Sequence, residues 1–150
     1  MIGIEFIYKT TYQKVVYELL KGINFDDYNY HIVENEIIVE TKDNMRLPSN
    51  IIGKCFLNYF NKEDYFINFL NLQIYKKNVE PKTIKTYDDF LSSNCEMILL
   101  ITDNKFIEFY FKDEKLRNII LENLGSLDIK YDIKTKETDG RNIMYLNKSV

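Results

Sequence analysis

The side chains with the most versatile chemistry in this chain are one histidine and two cysteines, His31, Cys55 and Cys95. A lone imidazole builds no histidine-rich metal site, and the two cysteines stand at no recognised ligand spacing. A cysteine–histidine nucleophile pair is one interpretation of them. Both cysteines fall in apolar segments, however, where a free cysteine behaves as a small hydrophobe. The sequence therefore predicts two reduced, buried thiols and implies no metal or cofactor.

Eight of the 23 acidic residues stand in adjacent pairs. Hydrolysis by two carboxylates requires them at a set separation across a cleft, whereas adjacent acids at turns and helix starts are typical of caps and solvated corners. The pattern therefore predicts no catalytic residue among them. The pairs are Asp26-Asp27, Glu63-Asp64, Asp88-Asp89 and Asp113-Glu114.

The sequence contains no recognised phosphate-binding loop and no strong signal for binding to a nucleic acid. The five glycines are isolated, so neither a G-x-G-x-x-G nor a Walker loop is present. A net charge of −3 argues against a nucleic-acid partner, which normally requires a continuous Lys/Arg stripe. The lysines of segment 76–85, flanked by Tyr75 and Tyr87, form the best basic patch. A solvated loop explains that patch better than contact with RNA or an acidic protein.

A candidate binding lip lies in the segment DDYNYH, which supplies Asp26, Asp27, Tyr28, Tyr30 and His31. The chain has twelve tyrosines and no tryptophan, and tyrosine is enriched at protein interfaces. The alternative interpretation is a partly exposed strand that follows an acidic turn.

A second candidate lies in CEMILLITDNKFIEFYF, residues 95–111. Residues 97–101 are apolar at both parities, which predicts a strand covered on both faces. In the following strand, alternation places Phe106, Glu108 and Tyr110 together on the more polar face. Strand alternation alone explains why Glu108 lies on that face. The alternative makes Glu108 and Tyr110, with His31, a site assembled from residues distant in sequence.

The length of 150 residues fits one domain. Periodicity and capping signals predict that this domain belongs to the α+β class. The expected fold has a mixed, mostly antiparallel sheet with about four helices packed on it. A bulge near Asn68 would restore the alternation of the third strand segment, and Thr86 with Asp89 predicts a capping box. The expected elements are a strand at 2–8, a helix at 11–21, a hairpin of 28–33 with 36–41 around Glu34-Asn35, a helix from Ser49 to Phe60 with Cys55 on its inner face, a strand at 65–75, a short helix after Thr86, a hairpin of 95–102 with 105–111 around Asp103-Asn104, a helix from Asp113 to Leu124 ended by Gly125, and a hairpin of 128–135 with 142–146.

Two blocks carry a resemblance: IGIEFIYKTTYQKVVYELLKGINFDDYNYHI and KTYDDFLSSNCEMILLITDNKFIEFYFKDEKL. They resemble an uncharacterised family of small proteins from spore-forming Firmicutes. That resemblance implies a strand, a helix and a loop ahead of the first hairpin, and a T-Y-x-x-F-L-x-S-x-C-E-x-x-L-L block leading into a later one. It implies no activity and no functional residue.

The absence of a nucleophile–base pattern, a metal set and a phosphate loop favours a non-enzymatic module that binds another protein through an acidic, aromatic face. A toxin-neutralising, immunity-like protein is the nearest analogy of this kind. The alternative is an enzyme or small-molecule binder. With no secretory signal and no membrane-length apolar run, the expected location is the cytoplasm, without membrane contact.

Overall fold

The computed structural model describes residues 2–8, 11, 13–39 and 55–135. Within them, six strands form one antiparallel sheet in the order β2-β3-β4-β5-β1-β6, accompanied by four helices. The predicted α+β class with a single sheet is confirmed. Every strand pair among these residues is antiparallel, where a mixed sheet was expected. The elements are β1 (Gly3–Ile7), α1 (Val15–Leu20), β2 (Tyr28–Val39), α2 (Cys55–Tyr59), β3 (Tyr65–Lys76), α3 (Tyr87–Ser92), β4 (Cys95–Thr102), β5 (Phe106–Phe111), α4 (Glu114–Ser126) and β6 (Asp132–Lys134).

Strand β4 lies inside the sheet and is covered on both faces. Residues 97–101 are all at most 5% exposed, and β4 pairs with β3 on one side and β5 on the other. Met97, Leu99 and Ile101 enter the larger core, while Ile98 and Leu100 enter a smaller one. The two-sided burial predicted for this strand is confirmed.

Two cores therefore lie on opposite faces of the sheet. Apolar side chains of α1, α2 and α4 cover one face, which we call the large-core face. Tyr87 and Phe90 of α3, with Ile84 from the preceding segment, cover part of the other, which we call the α3 face. Thr86 and Asp89 form the predicted capping box of α3, since each side chain accepts a hydrogen bond from the other residue's backbone N–H.

Bulges reset the alternation of the long strands. Between the pairs Glu36–Phe69 and Ile37–Ile67, Asn68 of β3 has no opposite residue, so the predicted bulge at this position is confirmed. It allows both Ile67 and Leu70 to enter the large core.

The predicted hairpin of 28–33 with 36–41 is wrong, because residues 28–39 form one strand along β3. Glu34 pairs with Asn71, and Asn35 with Leu70, where a turn was expected. Continuing the ladder along the twelve-residue β3 satisfies the backbone of both residues without a reversal. A Glu-Asn dipeptide without glycine is also a weak signal for a tight turn.

Two helix boundaries also differ from the prediction. Gln13 exchanges backbone hydrogen bonds with Tyr65, at 3.0 and 3.2 Å, so α1 begins only at Val15. At the other end of the chain, α4 runs through Gly125 to Ser126, and Asp128 takes the left-handed conformation instead, at φ 54°. The part of the second helix at 49–54 and the expected strand at 142–146 lie outside the described residues.

The turn between β4 and β5 confirms the prediction at Asp103-Asn104, where φ is 54° and 57°. Positive φ at both central residues is the requirement of a type I′ hairpin turn. Asn104 is 1% exposed. Its Oδ1 accepts from the Ile67 N–H at 2.9 Å, and its Nδ2 donates to the Thr11 carbonyl at 2.9 Å. One side chain thus ties the turn to β3 and to the segment after β1.

We expect Asn104→Ala to lower the free energy of unfolding by about 3 kcal/mol, because it removes two buried hydrogen bonds and strains a left-handed residue. Urea denaturation measures the loss. The matched control is Asp103→Gly in the same turn, which suits positive φ and should change stability by less than about 0.5 kcal/mol. Equal losses in the two variants would contradict this role for the Asn104 side chain.

Candidate functional site

The residues of the predicted lip are divided between the two faces of the sheet. Asp26 and Asp27 lie in the turn before β2, which is the outermost strand on its side among the described residues. Tyr28 and Tyr30 pack against the large core. The Tyr28 hydroxyl donates to Asp113 Oδ2 at 3.4 Å; burial and then the nearby Asp113 charge raise the pKa of Tyr28 to about 12.

The lip tyrosines therefore anchor β2. The Tyr30 ring lies 4.3 Å from that of Phe56 in α2, and Asp113, the Tyr28 partner, is the N-cap of α4. Two rings that hold a strand against helices present little free aromatic surface. Their role in binding stays a prediction.

His31 lies on the α3 face, paired across the ladder with Gln73. The same row continues through Ile98 to Tyr110. Three strand spacings separate His31 from Tyr110, about 14 Å. The structure therefore does not bring the imidazole to Glu108 or Tyr110, as a site assembled from these three would require.

Glu108 and Tyr110 do lie together, on the face that strand alternation predicts, and both contact a buried lysine. Lys134 of β6 is 3% exposed, and its Nζ lies 3.0 Å from Glu108 Oε2 and 3.5 Å from Glu5 Oε2. The Tyr110 hydroxyl donates to Glu108 Oε2 at 3.2 Å, and the ammonium sits 5.1 Å from the centre of the Tyr110 ring. Burial alone would lower the pKa of Lys134, but Glu108 and Tyr110 together outweigh that effect and the pKa is raised.

The cluster therefore joins three strands through charge. Glu108 belongs to β5, Glu5 to β1 and Lys134 to β6, and a buried cation with two carboxylate neighbours holds the short β6 in register. Sequence reasoning missed Lys134, because its partners come from strands far away in the chain. The only local signal is the parity that puts Asp132 and Lys134 on one face and Ile133 on the other.

An open cleft of about 690 Å³ lies beside this cluster, at the end of β1 and the start of β5; we call it cleft A. Three apolar side chains around it are well exposed: Ile7 at 66%, Phe106 at 44% and Tyr131 at 36%. Its lining includes Glu5, Ile7, Phe106, Glu108, Lys130, Tyr131 and Asp132.

A second cleft of about 530 Å³, cleft B, opens on the other side of the β1 end. The Tyr8 hydroxyl donates a hydrogen bond to Glu18 Oε2 there. Burial first, and then the Glu18 carboxylate, raise the pKa of Tyr8. The lining includes Ile7, Tyr8, Gln13, Glu18, Asp128 and Lys130.

The two cysteines differ. Cys95 is fully buried, its Sγ lies 3.3 Å from the Met97 carbonyl oxygen, and burial raises the pKa of its thiol to about 12. The predicted burial of Cys55 is wrong, since its side chain is exposed. Phe56 and the following Phe60 occupy the buried side of α2 and its end, and Cys55, adjacent to Phe56, projects away from it.

Burial holds one thiol and one tyrosine hydroxyl of the smaller core in their protonated forms. Burial moves the pKa of Cys95 and of Tyr75 to about 12, away from the range in which a thiolate or phenolate reacts at neutral pH. Among the described residues, no group of three His, Cys, Asp or Glu side chains is placed to hold a metal ion. None of the helices in this part of the chain is long and apolar enough to cross a membrane.

We expect Lys134→Met to lower the free energy of unfolding by about 2 kcal/mol, because it leaves the half-buried Glu108 carboxylate without its cation. Adding Glu108→Gln should restore part of the loss, with a coupling of about 1 kcal/mol in chemical denaturation. Lys130→Met, at an exposed position on the same segment, is the control. Strictly additive losses would contradict the pairing.

We expect His31 to titrate below pH 6.5, because burial lowers its pKa. Protonation then costs stability, so stability is complete above about pH 6.5 and declines as the pH falls through the lower folded value. As this is the single histidine, its proton NMR signal is unambiguous. In concentrated urea the midpoint should return to about 6.5; a native midpoint above that value would instead indicate an acidic neighbour.

Comparison with known proteins supports the resemblance seen in the sequence. The uncharacterized protein YncE of Bacillus subtilis (strain 168) is 23% identical over 151 residues, which cover 93% of this chain and 95% of that protein. No solved structure matches the chain significantly. The model of a family described as "Protein of unknown function (DUF2691)" matches residues 1–145. The chain therefore belongs to the DUF2691 family, whose function is unknown.

Proposed function

We propose that this chain is a non-enzymatic, cytoplasmic protein-interaction module of the immunity type, which contacts its partner at clefts A and B. The observation that carries the proposal is the concentration of exposed Ile7, Phe106 and Tyr131 around cleft A, among the carboxylates of Glu5 and Asp132. Apolar surface rimmed by polar groups is typical of interaction sites.

The exposure of the apolar lining favours a protein over a metabolite. Small-molecule sites enclose most of their ligand, whereas Ile7 is two-thirds exposed at the point where the clefts meet. A protein surface laid across that end of the sheet would remove Ile7 and Phe106 from water together. Aromatic side chains at the centre of such a contact supply much of the binding free energy of protein complexes.

Only part of the lip and strand sites foreseen from the sequence belongs to this surface. Glu108 lines cleft A, and Tyr110 holds Glu108 in place. Asp26, Asp27, Tyr28, Tyr30 and His31 lie on or before β2, at the opposite side of the sheet. A role for those five residues would require a second contact area.

A small-molecule binder is the second candidate, favoured by the size of cleft A. A volume of about 690 Å³ lies within the range of ligand pockets, roughly 300–1,000 Å³. A thermal-shift screen with a metabolite library distinguishes the candidates, because a ligand that stabilises the chain should lose its effect in Phe106→Asp. The same substitution should strongly reduce protein capture if the first candidate holds.

We expect Ile7→Asp and Phe106→Asp each to reduce recovery of a stoichiometric partner from native lysate about 30-fold, because each places a charge in an apolar contact worth about 2 kcal/mol. Quantitative mass spectrometry after affinity capture measures the recovery. Val33→Asp is the control, since Val33 is also a strand residue, is 46% exposed and lies on β2. Equal recovery with all three variants would contradict the proposed surface.

A further inference from the structure

The two clefts are continuous around the end of β1. Ile7 and Lys130 line both of them. Successive residues of a strand point to opposite faces, so Ile7 borders cleft A on the α3 face while Tyr8 turns to the large core beside cleft B. A ligand that fills both must pass around this end of the strand. An extended peptide segment has that shape, with alternate side chains that reach each cleft.

The charge of the combined surface selects a basic segment. Five carboxylates of the described residues line the clefts, those of Glu5, Glu18, Glu108, Asp128 and Asp132, and one lysine, Lys130. Even with the nearby Lys134, which pairs with Glu5 and Glu108, acids outnumber lysines five to two. A surface of this sign attracts and orients a cationic partner.

One of the acceptors in cleft B is held in place by a hydrogen bond. Tyr8 is 8% exposed, and its hydroxyl orients the Glu18 carboxylate. The Asp128 carboxylate and the Gln13 amide line the same cleft. A guanidinium presents five N–H donors in a planar fork and bonds two acceptors at once, whereas an ammonium acts as a point charge. The presence of several side-chain oxygens in one cleft therefore favours arginine over lysine.

We infer, on the basis of the proposed function, that the partner inserts an arginine side chain into cleft B against Glu18 and Asp128, while an apolar side chain of the same extended segment packs on Phe106 and Tyr131 in cleft A. Lys130, exposed at the junction, keeps its ammonium in solvent. The partner is thus a protein with an exposed, extended segment in which arginine and a large apolar residue stand close together.

Selection of a phage-displayed dodecapeptide library on the full chain tests this inference. Enriched peptides should carry an arginine near an aromatic or aliphatic residue. Glu18→Gln, which keeps the acceptor for Tyr8, should weaken their binding about tenfold in fluorescence polarisation. Glu122→Gln, on the exposed side of α4, should not change it. Arginine-to-citrulline replacement in the peptide should weaken binding to the unsubstituted chain, and much less to Glu18→Gln.

The outcomes separate the two proposals. Suppose that Ile7→Asp weakens binding of the enriched peptides. If Glu18→Gln then leaves their binding unchanged, or if the peptides contain no arginine, the arginine inference is wrong and the proposed surface is retained. No enrichment, or enriched peptides insensitive to Ile7→Asp, overturns both. Denaturation midpoints check that each variant folds. Asp128→Asn is the second charge-neutral variant; asparagine tolerates the left-handed backbone there, so a folding defect in Glu18→Gln does not prevent the test.

Discussion

Burial of β4 on both faces is the constraint on which the rest of this structure depends. A strand with apolar side chains at both parities leaves water only when layers cover it above and below. Here α1, α2 and α4 provide the large core on one face, and α3 with Ile84 provides the smaller core on the other. The neighbours of β4 are also constrained, since β3 and β5 must satisfy its backbone on either side.

Two lysines on the α3 face are each paired or hydrogen-bonded. Lys134 meets Glu108 and Glu5. Lys112 donates from Nζ to the carbonyl oxygens of Phe90 and Ser93, at 2.7 Å each, and so satisfies acceptors at the end of α3. Burial lowers the pKa of Lys112, an effect opposed by the charge of Glu96. Lys112 thus links the sheet to α3, and Lys134 links β5 and β1 to the short β6.

The proposed binding surface lies on the part of the α3 face that α3 does not cover. Beyond the residues packed under α3, the face carries Glu108, Phe106 and Ile7, and the short β6 adds Asp132 at its margin. The backbones of β1 and β5 approach each other closely at Gly3. A Cβ at this position would lie 2.0 Å from the Phe109 carbonyl oxygen. The β1–β5 pair is therefore held tightly at one end, while its other end opens into the clefts.

Local chemistry in the sequence determined several turns, caps and burial patterns. The Asp103-Asn104 turn, the Thr86–Asp89 box, the bulge at Asn68 and the two-sided burial of residues 97–101 were all predictable, because each depends on residues a few positions apart. Tertiary structure alone decided that β2 continues past Glu34, that Cys55 faces solvent and that Lys134 reaches Glu108. It also decided the order β5-β1-β6, which creates the clefts. Strand pairing joins segments from opposite ends of the chain, and the free energy that selects those partners comes from long-range burial, which no local pattern records.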